Sequence, residues 1–119
     1  MAQPTCIDNG ALERLRRQGG PVLVREIVKV FLEDAPQRLR DGRAGAMAGN
    51  LDAVGRAAHS LKSTAAALGA VELRAISARI EQLAAANQGQ AANALLDEWD
   101  AAFAGAEREL SAFITADPV

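Results

Sequence analysis

The stretch LDAVGRAAHSLKSTAAAL, residues 51–68, has the clearest structural pattern in this chain of 119 residues. Its apolar residues recur at alternating steps of three and four, which is the spacing of one face of an α-helix. The face is narrow, as in helices that pack side by side in a bundle. It consists of Leu51, Val54, Ala58, Leu61, Ala65 and Leu68.

The composition of the whole chain agrees with a helical protein. Hydrophobic residues make up 50% of it, which is enough for one core, and aromatic residues only 3%, which is too few for a β-sandwich. Ala, Leu, Arg and Glu, which favour helices, dominate, and there are only four prolines. We therefore expect a single all-α domain over residues 1–119.

Turn and capping residues divide the chain into five helices. Asp8 is a candidate N-cap, Gly19-Gly20 a stop and Pro21 a first helical residue, while Gly49-Asn50 and Gly69 mark later turns. Pro36 is expected to bend the second helix. The predicted fold is an antiparallel four-helix bundle with an additional short N-terminal helix. The helices are expected at about residues 8–18, 21–47, 51–68, 70–86 and 90–115.

The last two predicted helices also have inward faces at helical spacing. In the fourth helix the predicted inward residues are Leu73, Ile76, Ile80 and Leu83. In the fifth they are Leu96, Trp99, Phe103, Ala106, Leu110 and Phe113.

Charge and cysteine usage exclude several classes of protein. The net charge is −2, from 13 basic and 15 acidic residues, and no basic stripe indicates a nucleic-acid partner. Cys6 is the only cysteine and has no histidine near it, so we expect neither a disulfide nor a metal site. The sequence has no signal peptide and no apolar stretch long enough to span a membrane, which predicts a cytoplasmic protein without a membrane partner.

His59, the only histidine, is predicted to face solvent. At about 100° per residue the apolar face of its helix covers a sector of about 80°, and His59 points roughly 140° from the centre of that sector. Its neighbours on the outer surface are Gly55, Lys62, Ser63 and Ala66. A neutral imidazole among small side chains is an accessible phosphoryl acceptor, and Lys62 could place a cation beside it. An ordinary solvated surface histidine would show the same pattern.

The run AHSLKSTAAALGA, residues 58–70, resembles the signature of histidine phosphotransfer (HPt) domains, which reads as His, any residue, Leu-Lys-Gly and a small-residue stretch ending in Leu-Gly. FLEDAP at 31–36 with Leu39, and IEQL at 80–83, are similar to other helices of that family. The resemblance implies that His59 is phosphorylated, through its Nε2, and that Lys62 supports the phosphoryl group. Ser63 stands where the family usually has glycine.

Further roles are predicted for residues around His59. Gly55 and Ala66, which are small and lie on the outer face of its helix, are expected to belong with Arg56 to the surface on which a partner docks. Glu81 matches a position that, in some members, lies beside the histidine and orients it.

The resemblance also implies the partners. These are receiver domains of hybrid sensor kinases and of response regulators. They supply Mg²⁺, so the chain itself needs no cofactor or metal. It would act as a phosphocarrier and not as an enzyme, because it has neither a glycine-rich phosphate loop nor the asparagine-rich nucleotide box of a kinase. A single complete bundle with an exposed histidine face predicts a monomer.

Two alternatives remain open from the sequence. One is the histidine-bearing domain of a chemotaxis-type kinase, against which the starting methionine and the lack of a linker to a catalytic domain are arguments. The other is a bundle that binds receivers without carrying phosphate.

Overall fold

The computed structural model describes residues 7–116, and within them the protein is helical with no strand. Cys6 and the C-terminal Asp117-Pro118 lie outside the described residues, so the expectations for them stay predictions. The helices are α1 (Asn9–Met47), α2 (Leu51–Leu68), α3 (Val71–Ala85), α4 (Gly89–Asn93) and α5 (Leu96–Ala116).

The helix bounds differ from the predicted ones by more than one residue in two places. The expected helices 8–18 and 21–47 follow each other as α1, interrupted only by the non-helical dihedral angles of Gly20 (φ 81°, ψ 174°). The expected helix 90–115 is divided, because a short helix, α4, precedes α5. Gly20 lies in the left-handed region of φ that favours glycine, so the chain changes direction there without a loop. Pro36 lies inside α1 without interrupting its helical dihedral angles.

The long helices form a closed bundle. Helix α1 packs against α2, α2 against α3, and α5 against both α3 and α1. Short turns at 48–50 and 69–70 join the first three of these helices, so neighbours run antiparallel. The all-α helical bundle predicted from the sequence is confirmed.

The turn between α2 and α3 also contacts Ile7 and Asp8, the first two described residues. Helix α2 ends at Gly69, whose φ of 74° is left-handed. The Asp8 amide donates to the Gly69 carbonyl at 2.6 Å, and Ile7 pairs with Ala70 in an isolated bridge. A Cβ at position 69 would lie 2.6 Å from the Asp8 carbonyl oxygen. Both the conformation and the close approach therefore require glycine at the end of α2.

The inward face of α3 is not the predicted one. Leu73 and Ile80 are buried as expected, but Ile76 and Leu83 are only half-buried. Ser77 and Ala84 lie inside instead. Ser77, fully buried, is accommodated because its hydroxyl accepts a hydrogen bond of 2.9 Å from the Trp99 indole N–H of α5.

Trp99 also explains a glycine in α1. A Cβ at Gly42 would lie 2.6 Å from the indole ring, so the missing side chain makes room for Trp99. On the surface of the same contact, the Arg43 guanidinium pairs with Asp97 at 3.0 Å and Asp100 at 2.7 Å. Helices α1 and α5 are thus joined by close packing inside and by ion pairs outside.

In the rest of α5 the predicted inward residues are buried except Phe113, which is half-buried beneath Arg16.

Candidate functional site

Helix α2 places His59 on the outer surface of the bundle. Val54, Ala58, Leu61, Ala65 and Leu68 of its inward face are all at most 1% exposed, as the periodicity predicted, and only Leu51 is half-buried. With that face fixed in the core, the His59 side chain is 63% exposed. The imidazole is therefore open to a partner.

One edge of the His59 ring contacts a carboxylate from the neighbouring helix. Nδ1 lies 2.7 Å from Oε2 of Glu81, on α3. An ionised carboxylate only accepts hydrogen bonds, so Nδ1 carries the hydrogen and donates it. In the neutral ring this leaves Nε2 without a hydrogen and with its lone pair free. Glu81 therefore favours the tautomer in which the Nε2 lone pair is free.

Lys62 contacts the other oxygen of the same carboxylate. Its Nζ lies 2.6 Å from Oε1 of Glu81. The three side chains form a chain of contacts from ammonium to carboxylate to imidazole, with Lys62 34% and Glu81 26% exposed. We call these three residues the Lys62–Glu81–His59 triad.

The triad holds Glu81 in its ionised form. The pKa of Glu81 is lowered from its usual value, mainly by the hydrogen bond from Lys62 and then by that from His59. Partial burial acts in the opposite direction and raises this pKa. Since the contact with Lys62 is the larger effect, Glu81 stays a carboxylate over the whole physiological pH range.

The structure brings only some of the other predicted site residues to His59. Gly55 and Arg56 line the same groove as His59, with Ala84 and Ala85 of α3 on the opposite wall. Gly55 is half-buried toward α3 and not on the open surface, because a Cβ there would lie 3.7 Å from that of Ala84. Arg56 is exposed and pairs with Asp52 at 3.0 Å.

The two remaining predicted residues lie further along α2. Ser63 and Ala66 are exposed, and neither lines the groove beside His59. They lie on the open surface beyond His59, where the sequence placed them.

A second groove, between α1 and α2, was not predicted. It begins at Ser60, which also lines the groove beside His59. Its floor and walls are mainly apolar, and Val30 at its edge is 60% exposed. The sequence signal that could have indicated this groove is Val30, a large apolar residue away from the inward face of α1. The apolar lining consists of Ile27, Val30, Phe31, Ala35 and Leu61.

Two further observations concern metal ligands and membrane-spanning helices. Within residues 7–116, no group of three or more His, Cys, Asp or Glu side chains is arranged to hold a metal ion. In the same part of the chain, every helix is too short or too polar to cross a membrane.

The fold and site together define a class of protein: a helical bundle with one histidine on its outer surface, hydrogen-bonded to a carboxylate of the neighbouring helix. The model of the Hpt domain family matches residues 26–109, which is more than half of the chain. The chain belongs to this family. It is accordingly a histidine phosphotransfer carrier of two-component signalling, a class of domain that has no kinase activity of its own and that interacts with receiver domains in phosphorelays.

A solved structure shows the same fold. The crystal structure of histidine-containing phosphotransfer protein B (HptB) from Pseudomonas aeruginosa PAO1 superimposes with a TM-score of 0.90 at 24% identity, covering 98% of this chain and 100% of that one. No curated protein matches the sequence.

Proposed function

We propose that His59 accepts a phosphoryl group from the aspartyl phosphate of one receiver domain and passes it to an aspartate of another. The observation that carries this proposal is the combination of an exposed imidazole with an Nδ1 that is already bound to Glu81. A nucleophile needs both access and a free lone pair, and His59 Nε2 has both.

The chemistry balances without a group from outside the two proteins, apart from the metal of the receiver. Nε2 attacks phosphorus, the N–P bond forms, and the P–O bond of the acyl phosphate breaks to release the aspartate carboxylate. The ring keeps its Nδ1 hydrogen and gains positive charge, which the Glu81 carboxylate at 2.7 Å opposes. Attack by a second aspartate reverses these steps. Mg²⁺ bound by the receivers would neutralise the transferring oxygens.

The docking surface in this proposal is the face around His59. The groove with Gly55 and Arg56 lies on its α3 side, and the apolar groove beside Val30 lies on its α1 side. Ser60 connects the two grooves. Receivers of hybrid sensor kinases and of response regulators are the proposed occupants, with the chain acting as a monomer.

The test is transfer from a radiolabelled receiver phosphate to the parent chain and to His59→Gln. We expect an acid-labile, base-stable label on the parent and none on the variant. His59→Gln should fold and melt like the parent, because the side chain is exposed and outside the core. Glu98→Gln, an exposed change on α5, serves as the matched control.

Two results would contradict the proposal. One is normal labelling of His59→Gln. The other is a parent chain that binds phosphorylated receivers but acquires no label, which would favour a bundle that only binds them. Labelling from ATP alone would contradict the absence of kinase activity.

A further inference from the structure

We propose that the groove between α3 and α5 is an interaction surface for a second copy of this chain. The two bundles pair face to face, and each places its α3 on the α5 of the other. This inference goes beyond the proposed function, because the groove does not include His59 and its occupant is not a receiver.

Helix α3 leaves part of its apolar repeat outside the core. Ile76 and Leu83 belong to the face that the sequence predicts as inward, but both are only half-buried. Ser77 and Ala84 take the inner positions instead. An apolar strip that remains at the surface is what a contact with another helix would cover. The apolar lining of the groove consists of Ala75, Ile76, Ala101 and Ala102.

Two opposite charges in the groove have no partner in the bundle. Arg79 on the α3 wall and Glu98 on the α5 wall are both exposed. Within residues 7–116, neither side chain has an ion pair or a hydrogen bond, so they do not pair with each other across the groove. An occupant of the groove therefore needs a carboxylate for Arg79 and a cation for Glu98. A second copy of the chain supplies both.

The two charges also lie at nearly the same level along the bundle. The hydrogen bond of 2.9 Å between Ser77 and Trp99 places these two residues side by side. Arg79 lies two residues after Ser77, about 3 Å toward the end of the bundle that holds α4. Glu98 lies one residue before Trp99, about 1.5 Å toward the same end, because α5 runs opposite to α3.

This arrangement makes the groove complementary to itself. A two-fold axis parallel to the bundle places Arg79 of one copy opposite Glu98 of the other, and the reverse pair forms at the same time. His59 lies on the other side of α3, in the groove that α3 forms with α2, so it stays open in both copies. Each bundle of the pair can therefore react with a receiver by itself.

The size of the face predicts a weak pair. Helix α3 has 15 residues and is about 22 Å long, and two helices side by side are about 20 Å wide. The contact then covers at most about 450 Å² of each bundle, or about 900 Å² in total, which is typical of weak and transient contacts. We therefore expect monomers in dilute solution and pairs only at high concentration.

Sedimentation equilibrium of the unphosphorylated chain, from about 10 µM to about 1 mM, tests the pairing. The parent should associate reversibly at the upper end of this range. The substitutions Arg79→Glu and Glu98→Arg each turn two attractions into two repulsions, so each should weaken association at least about tenfold. Arg25→Glu is the matched control, because it reverses an exposed charge on α1, outside the groove, and it should leave association unchanged.

A mixture of the two variants gives the decisive result. In a mixed pair the two reversed charges face each other, and so do the two unchanged charges, so both contacts are attractive again. Equimolar Arg79→Glu and Glu98→Arg should therefore associate about as tightly as the parent, although neither does so alone. The chain that carries both substitutions should also recover association.

Three results would overturn the inference. The first is a parent chain that stays monomeric at about 1 mM, which would leave the groove to a different protein. The second is a mixture of the two variants that associates no better than either alone. The third is a set of concentration-dependent NMR shifts at Ala66, on the face of His59, with none at Ile76 or Ala101 in the groove.

Discussion

Leu61→Ala tests the helix register on which the position of His59 depends. Leu61 lies two residues after His59 on α2 and is 1% exposed, between α2 and the Phe31 region of α1. The change removes three buried carbons, which at about 0.8 kcal/mol each is about 2.4 kcal/mol of lost transfer free energy. The cavity that remains adds to this, so the expected loss in free energy of unfolding is about 2 to 5 kcal/mol.

The assay is urea denaturation followed by circular dichroism. The midpoint should fall while the slope of the transition stays the same, since the surface exposed on unfolding hardly changes. Met47→Ala is the matched control, because it also shortens a large apolar side chain but at a position that is 84% exposed. Its effect should stay within about 0.5 kcal/mol.

The same variant should still accept phosphate at His59 under conditions in which it is folded, because Leu61 and His59 project from opposite sides of α2. A loss of stability below about 1 kcal/mol would refute the register, and with it the outward position of His59. A full loss of phosphorylation in a folded variant would show instead that the site depends on the core more closely than the structure indicates.

Two further predictions concern the docking surface and acid stability. The substitutions Gly55→Gln and Ala66→Gln should each weaken receiver binding, measured by calorimetry, at least tenfold without unfolding the chain. A small donor such as phosphoramidate should still label His59 in both variants. Unchanged receiver affinity in both variants would show that receivers do not dock on this face. Glu81 has a lowered pKa in the folded chain, so its contribution to stability is present above the ordinary glutamate pKa of about 4.3 and is lost as the pH falls through the lowered value. The difference in unfolding free energy between the parent and Glu81→Gln should therefore be constant near neutral pH and shrink below about pH 4.3, and a difference that grows on acidification would contradict this reasoning.

The position of His59 could be predicted from the sequence because it depends on one helix alone. The inward face of α2 repeats without a polar interruption, so its periodicity determines which side is buried. His59 then faces solvent by geometry, whatever the helix packs against. Bounds set by strong local signals were predicted equally well, as with Asn50 at the start of α2 and Gly69 at its end.

The features that depend on contacts between helices were not predictable in the same way. Gly20 breaks the helical dihedral angles of α1 without a loop, and no local pattern distinguishes that from two separate helices. The groove beside Val30 exists only because α1 and α2 leave a gap there. The resemblance to HPt domains named Glu81, but its contacts with Lys62 and His59 depend on how α3 is turned about its own axis.

A buried hydrogen bond favours that rotation of α3. At about 100° per residue, the predicted inward face of α3 would put Glu81 about 120° from its centre, directed away from the core. The face that is actually buried includes Ser77 and Ala84, and from its centre Glu81 is only about 70° away, at the edge of the helix contact. A leucine or isoleucine would normally occupy the inner position in place of Ser77, but the Trp99 indole N–H needs an acceptor there, and an unsatisfied buried donor costs about 1 to 3 kcal/mol. The contact between Ser77 and Trp99 thus favours the rotation of α3 that brings the Glu81 carboxylate to His59, so a polar group in the core helps to determine the chemistry on the surface.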